Sequence, residues 1–335
     1  MELDIVFGDI TRFRADLVVM KHADGFHGAD QAIARSVGFA ERIPVGEKRL
    51  VDTGRTSPRM VMFISVGPLY EFQYERIQKF GAELFDFIAE ASSQVVAPLS
   101  HVATTIHGPG YGLDTHEAFL SLIAGLVEGG QTSSGPVRRV TLVERNQKRC
   151  DYLKEIRRTE CSKFNIVDAG DVFLIGTTPT NQKNEAKSPT ATILQFGERA
   201  DLKPHLFVAM PFAQAYEDEY EIAISEAARA HAYNCLRLDM VAFTGDIMAE
   251  IKKRIVGCQA IVALLNDLNP NVFLELGFAL AHRVPTILIA KEGLVLPFDV
   301  QGMRCLRYKT INSLRRDLTA EIGALKSQGL LAQPA

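Results

Sequence analysis

The sequence predicts an α/β protein of two domains: a mixed sheet between helices, then a doubly wound parallel sheet. Three observations predict this. Strand-like apolar runs alternate with helical stretches along most of the chain. A polar, proline-punctuated segment at 177–189 interrupts the alternation, and a fresh series of apolar strands opens at Leu206. The 335 residues suffice for two separate cores. The expected boundaries are 1–160, an extended connector at 161–203 holding the polar linker, and 204–335.

In the first domain, short apolar runs predict strands at 3–7, 17–20, 60–66, 101–106 and 139–143. Between them, apolar residues recurring every three or four positions predict helices at 29–36, 72–92, 115–127 and 146–157. Two further extended runs, 163–175 and 190–197, bracket the linker. In the second domain, strands are expected at 206–210, 235–239, 260–265, 285–290 and 304–308, with helices at 216–231, 244–256 and 270–282. These strands are continuous apolar runs, the pattern of a parallel sheet covered on both faces. Ligands of such sheets lie beyond the carboxyl ends of the strands. Met210, Pro211, Phe212, Asp239, the 267–271 stretch and Lys291 occupy those positions.

Composition narrows the function classes. The chain is 47% hydrophobic and 23% charged with net charge −3, ordinary for a soluble globular protein and unlike a general nucleic-acid binder. No apolar run reaches the roughly 18–20 residues that span a bilayer. The start, Met-Glu-Leu-Asp-Ile-Val, has no basic or apolar leader pattern. The five cysteines (150, 161, 235, 258 and 305) are odd in number and form no CxxC pair. Reduced thiols in cytoplasm are therefore expected, with no zinc or other metal site.

One carboxylate stands out. Asn269 suits a helix N-cap and Pro270 the first helical position, so Glu275 falls in the second turn of an otherwise apolar helix. It shares a face with Asn271, four residues earlier. A glutamate so placed has a raised pKa or a polar ligand, and is a candidate acid, base or nucleophile. The alternative is a structural glutamate paired with an arginine or capping a strand. Arg237 and Arg304 are candidates to pair with it or with a phosphate. Asp239 and Asp246 are second candidates for chemistry, although Asp246 equally suits the first turn of its own helix.

In the first domain, glycines mark three strand-to-helix turns: Gly8-Asp-Ile-Thr11, Gly25-Phe-His-Gly28 and His107-Gly-Pro-Gly-Tyr-Gly112. Such turns let backbone N–H groups approach a phosphate, and they also serve simply to turn a chain. Together with Val66-Gly-Pro68, these residues resemble the macro domain over roughly residues 1–145. The resemblance implies a mixed sheet and a site for ADP-ribose or a related nucleotide. Asp9 would hold the adenine amino group, with Ile10 in the same turn. Gly25, Gly28, Gly108, Gly110 and Gly112 would line the diphosphate, and Tyr111 would cover the distal ribose. Family members that hydrolyse ADP-ribose adducts carry asparagines after the second strand. This chain reads Met20-Lys-His-Ala-Asp24 there and has no asparagine before Asn146, so binding is expected rather than macro-type hydrolysis. His22 and Asp24 are the substitutes at hand.

The second domain, through Phe207-Val-Ala-Met-Pro-Phe212, Asp267, Asn269-Pro-Asn271, Phe273-Leu-Glu-Leu-Gly-Phe-Ala-Leu-Ala281 and Pro297-Phe-Asp299, resembles the TIR-like and nucleoside 2-deoxyribosyltransferase-like superfamily. That resemblance implies a flavodoxin-like sheet. It makes Glu275 the catalytic carboxylate, has Asp267 and Asn271 contact ribose, and has Met210–Phe212 border the base beside Asp239 and Asn269. Cleavage of an N-glycosidic bond develops oxocarbenium character that a carboxylate can stabilise or trap. The combined resemblance is to bacterial anti-phage effectors. It implies an N-glycosyl hydrolase of NAD or a related nucleotide, gated by an ADP-ribose-like ligand, needing no cofactor and assembling as a homo-oligomer. Two alternatives remain open: a metabolic nucleoside or nucleotide N-glycosidase or deoxyribosyltransferase, and a non-catalytic nucleotide receptor.

Overall fold

The computed structural model describes residues 1–54, 58–93, 95, 98–133, 135–160, 164, 166–168, 173–175, 195–238 and 247–332. The predicted linker 177–189, Asp239 and Asp246 lie outside the described residues. The chain divides into two compact units, one of Met1–Pro109 with Thr115–Asp201, the other of Gly110–Asp114 with Leu202–Ala335.

The first unit is built on an eight-stranded sheet. Its strands are β1 (Glu2–Phe7), β2 (Leu17–His22), β3 (Lys48–Asp52), β4 (Met60–Ser65), β5 (His101–Thr104), β6 (Arg139–Glu144), β7 (Ile166–Asp168) and β8 (Phe173–Ile175), in the order β3-β4-β2-β5-β6-β1-β8-β7. The five central strands pair in parallel, while β3, β8 and β7 join antiparallel at the edges. β2 and β4 are buried along their whole length. Helices α1 (Ala29–Val37), α2 (Tyr74–Ser92), α3 (Thr115–Thr132), α4 (Gln147–Glu160) and α5 (Phe196–Asp201) accompany the sheet. α1 turns Ile33 and Ala34 onto Val18, Met20, Val61 and Phe63. α2 and α3 meet at glycines: a Cβ on Gly125 would lie 2.0 Å from the Gln78 carbonyl oxygen, so only glycine allows that approach. β3 was not among the expected strands, because its Lys-Arg-Leu-Val-Asp sequence is half-buried at an edge and lacks an apolar run. Phe196 and Gly197, expected in an extended run, begin α5 instead.

The second unit has five strands, β9 (His205–Ala209), β10 (Asn234–Leu236), β11 (Ile261–Leu264), β12 (Thr286–Lys291) and β13 (Cys305–Tyr308), in the order β10-β9-β11-β12-β13. All pairings are parallel. This second-first-third-fourth-fifth order is that of a doubly wound sheet. Its helices are α6 (Ser225–Arg229), α7 (Ile247–Gly257), α8 (Pro270–Ala281), α9 (Phe298–Gln301) and α10 (Ile311–Ser327). Where one helix was expected over 216–231, the chain makes a 3-10 turn at Gln214–Tyr216, a π turn at Glu219–Ile224, and then α6. α10 went unpredicted although Thr310 and Ser313 form a capping box and Leu314, Leu318 and Ile322 enter the core at four-residue spacing. No helix among the described residues is long and apolar enough to cross a membrane.

Candidate functional site

The first turn of α8 stands at the carboxyl end of the parallel sheet, because the helix follows β11 through a short turn. Asn269 caps it, its Oδ1 accepting the Asn271 N–H at 2.9 Å, with Pro270 at the first position. Val272, Leu276 and Ala279 face inward, and Glu275 lies on the flank of that stripe. Burial alone pushes the Glu275 carboxyl up to about 8. Neither predicted arginine pairs with it. Arg304 pairs with Glu321, and Arg237 points a guanidinium nitrogen to Glu217 at 3.4 Å. The structural alternative for Glu275, an arginine partner, is thus absent among the described residues.

Asp267 is exposed and accepts a hydrogen bond from the Tyr216 hydroxyl; burial and this carboxylate together push the Tyr216 phenol up to about 12. Asn271 is exposed one helical turn before Glu275. Met210 and Pro211 are buried, whereas Phe212 is 45% exposed and lies over the Arg237 guanidinium at 4.7 Å. The Arg237 guanidinium also lies over the Tyr220 ring at 4.1 Å. Asp239, expected beside them, lies outside the described residues. Lys291, at the end of β12, places its ammonium 3.6 Å from Glu219. Sequence reading missed Tyr216, Glu219, Asn266 and Tyr308, which gather at this same end of the sheet.

In the first unit, Asp9 caps a 3-10 turn. Its Oδ1 accepts from the Thr11 N–H at 2.9 Å and the Thr11 hydroxyl at 2.7 Å, and these bonds hold its pKa below the usual carboxylate value. The Ile10 side chain enters the core. Gly28 precedes α1 at φ 62° with open space around it, and Gly25 and Gly108 also have positive φ. Gly110, Tyr111 and Gly112 belong to the second unit, so they do not share a compact unit with Asp9, Gly25, Gly28 and Gly108. Gly112 is a packing glycine: its carbonyl accepts from the Arg237 N–H at 3.0 Å, and a Cβ there would lie 2.4 Å from the Arg237 oxygen.

The two proposed asparagine substitutes diverge. His22 is buried against the Phe26 ring, whereas Asp24 pairs at the surface with Arg42 at 2.8 Å. A buried ion pair between Lys21 and Asp30 also escaped prediction. Burial pushes the Asp30 carboxyl up, against the pull of Lys21. The Lys21 ammonium also lies 5.9 Å from the Phe72 ring centre.

No family model matches the chain, and no curated protein matches it. Solved structures do. The Oceanobacillus iheyensis macrodomain with MES bound is 20% identical with a TM-score of 0.40, covering 48% of this chain and 93% of that one. The same macrodomain with ADP is 18% identical with a TM-score of 0.39, covering 48% and 92%. The Trypanosoma brucei macrodomain in complex with ADP is 16% identical with a TM-score of 0.37, covering 46% and 68%.

Proposed function

We propose that the second unit cleaves the N-glycosidic bond of a nucleotide, NAD or a relative, and that Glu275 carries the chemistry. The observation behind this reading is a half-buried carboxyl with no arginine partner among the described residues, on a helix that starts at the ligand end of a doubly wound sheet, where burial pushes its pKa up to about 8. Asp267 and Asn271 would hold the ribose, and Met210, Pro211, Phe212 and Asn269 would border the base. The first unit would bind an ADP-ribose-type nucleotide through Asp9, Gly25, Gly28 and Gly108. This follows from their strand-to-helix glycine turns and from the ionised Asp9, a suitable acceptor for an amino group. Several copies of the chain would assemble for activity, which is a requirement of the gated reading.

The raised pKa separates two versions of the chemistry. The nicotinamide of NAD leaves as a neutral base from a cationic precursor, so it needs no proton, and Glu275 would act as the carboxylate. A cationic substrate beside Glu275 would also lower its pKa and favour that form. A neutral nucleobase leaves more easily when protonated, and Glu275, protonated below about 8, is the acid at hand. That gives specific support to the second reading, a nucleoside or nucleotide glycosidase or transferase. The pH profile of kcat/KM reports the free enzyme. Activity rising with pH towards about 8 indicates the carboxylate role, and activity falling above it the acid role. Glu275→Gln is expected to lower turnover at least 100-fold in either case, the low end of the range for a lost acid or base. Undiminished base release, followed by chromatography with NAD and a panel of nucleotides, would remove Glu275 from the mechanism.

A further inference from the structure

A buried polar network lies at the carboxyl ends of β11, β12 and β13. Asn266 stands two residues past the end of β11. Its Oδ1 accepts the Lys291 backbone N–H at 2.9 Å, and its Nδ2 donates to the Tyr308 hydroxyl at 2.7 Å. The directions are forced. A backbone N–H can only donate, so the amide oxygen faces Lys291 and the amide nitrogen faces Tyr308. The Tyr308 hydroxyl, already an acceptor, then donates to Glu219 Oε1 at 2.9 Å. Asn266, Tyr308 and Glu219 are each 3% exposed. Such groups are costly to leave unpaired, so the network has one arrangement in which all its members are satisfied.

Two backbone irregularities adjoin it. Glu219 opens the π turn, a feature that recurs at functional sites. Asp267 and Leu268, directly after Asn266, both stand in the left-handed region at φ 63° and 48°. Each carries a Cβ and prefers to leave that region, so two in succession persist only if their surroundings hold them. The same turn decides where Asp267 sits and where Asn269 caps α8.

We propose that Tyr308 is a positioning residue: through Asn266 and Glu219 it locks the strained Asn266–Leu268 turn, and thereby places Asp267 and the start of the helix that carries Glu275. Its consequence for turnover rests on the glycosidase reading; its consequence for the turn does not.

The test uses the full chain with Tyr308→Phe, Leu268→Gly and the two combined. Amide hydrogen exchange reads the turn, because the Leu268 N–H is bonded to Leu265 O and the Lys291 N–H to Asn266 Oδ1. Tyr308→Phe is expected to speed exchange at Leu268 and Lys291 about tenfold and to lower kcat/KM about tenfold, as for one hydrogen bond to a charged group. Leu268→Gly, which tolerates φ > 0 without steric cost, is expected to reverse both effects in the double variant. Asn266→Ala should reproduce the Tyr308→Phe effects without disturbing the ring's packing. Unchanged exchange at Leu268 in both Tyr308→Phe and Asn266→Ala overturns the proposal. Faster exchange that glycine fails to reverse also overturns it, since a permissive turn does not repair lost packing. If exchange accelerates and is rescued while the wild type cleaves no nucleotide, the positioning role stands and the glycosidase reading falls.

Discussion

Glu275 shows how one side chain registers its surroundings. Its carboxyl is shifted from 4.5 to about 8 by burial alone, so the folded protein holds a proton that the unfolded chain releases. The sign follows directly. The contribution of this group to stability is fully present below about 4.5 and is lost as pH rises to about 8. Glu275→Gln removes the titration, so the variant should gain melting temperature relative to wild type as pH rises across that window. Calorimetry at several pH values checks this, and a constant difference would mean that Glu275 titrates normally. The position was legible because an apolar helix containing one carboxylate is conspicuous in sequence. Tyr308 and Glu219 were not legible, since their hydrogen bond joins residues 89 positions apart and neither stands in an unusual local pattern. The packing of Gly112 was not legible for a related reason: a glycine shaped for a phosphate and one shaped for a neighbouring backbone read alike.

Elements are held by packing that is equally specific. The α2–α3 crossing depends on Gly81, Gly125 and Gly129, whose missing side chains let backbones approach where a Cβ would clash. Gly125→Ala would set a methyl 2.0 Å from the Gln78 oxygen and should destabilise the first unit by about 3 kcal/mol. Gly257→Ala, with nothing within 4 Å of its added Cβ, should change stability by less than about 0.5 kcal/mol. Chemical denaturation of both variants decides the matter, and equal effects would show that the helices can slide apart cheaply. The central strands were readable because burial on both faces demands unbroken apolar runs. The edge strand β3 has no such demand and was passed over. The π turn was read as ordinary helix because its apolar spacing resembles one; the extra residue per turn shows in the backbone bonds, as where the Ser225 N–H reaches back five residues to Tyr220 O. α10 carried a four-residue apolar period in Leu314, Leu318 and Ile322 and was legible to that extent, whereas its cap pairs Thr310 with Ser313 in place of the Glu or Gln that marks a capping box in sequence.

At the scale of the whole molecule, two compact units share one chain, and Gly110–Asp114 belongs to the second although the residues on either side belong to the first. Both strand-order classes were expected from the sequence. The interleaving was not, because Gly112 and Asp114 reach Arg237 and Cys235 across more than 120 residues. If the first unit senses an ADP-ribose-type ligand, turnover by the second should depend on it, and linkage fixes the size of the effect. A ligand shifts an equilibrium only by its differential affinity for the two states, so tenfold activation requires about tenfold, or ~1.4 kcal/mol, tighter binding to the active form. Adding ADP-ribose to the full chain should therefore raise both base release and the mass read by light scattering. The affinity read by calorimetry should rise with protein concentration. Asp9→Ala should weaken that binding by about 1.5 kcal/mol or more, the lower bound for a hydrogen bond to a charged group, and should move the activation curve by the same factor while leaving its plateau unchanged. A ligand that binds yet alters neither assembly nor turnover has equal affinity for both states, which would make the first unit a holding site and end the sensor reading.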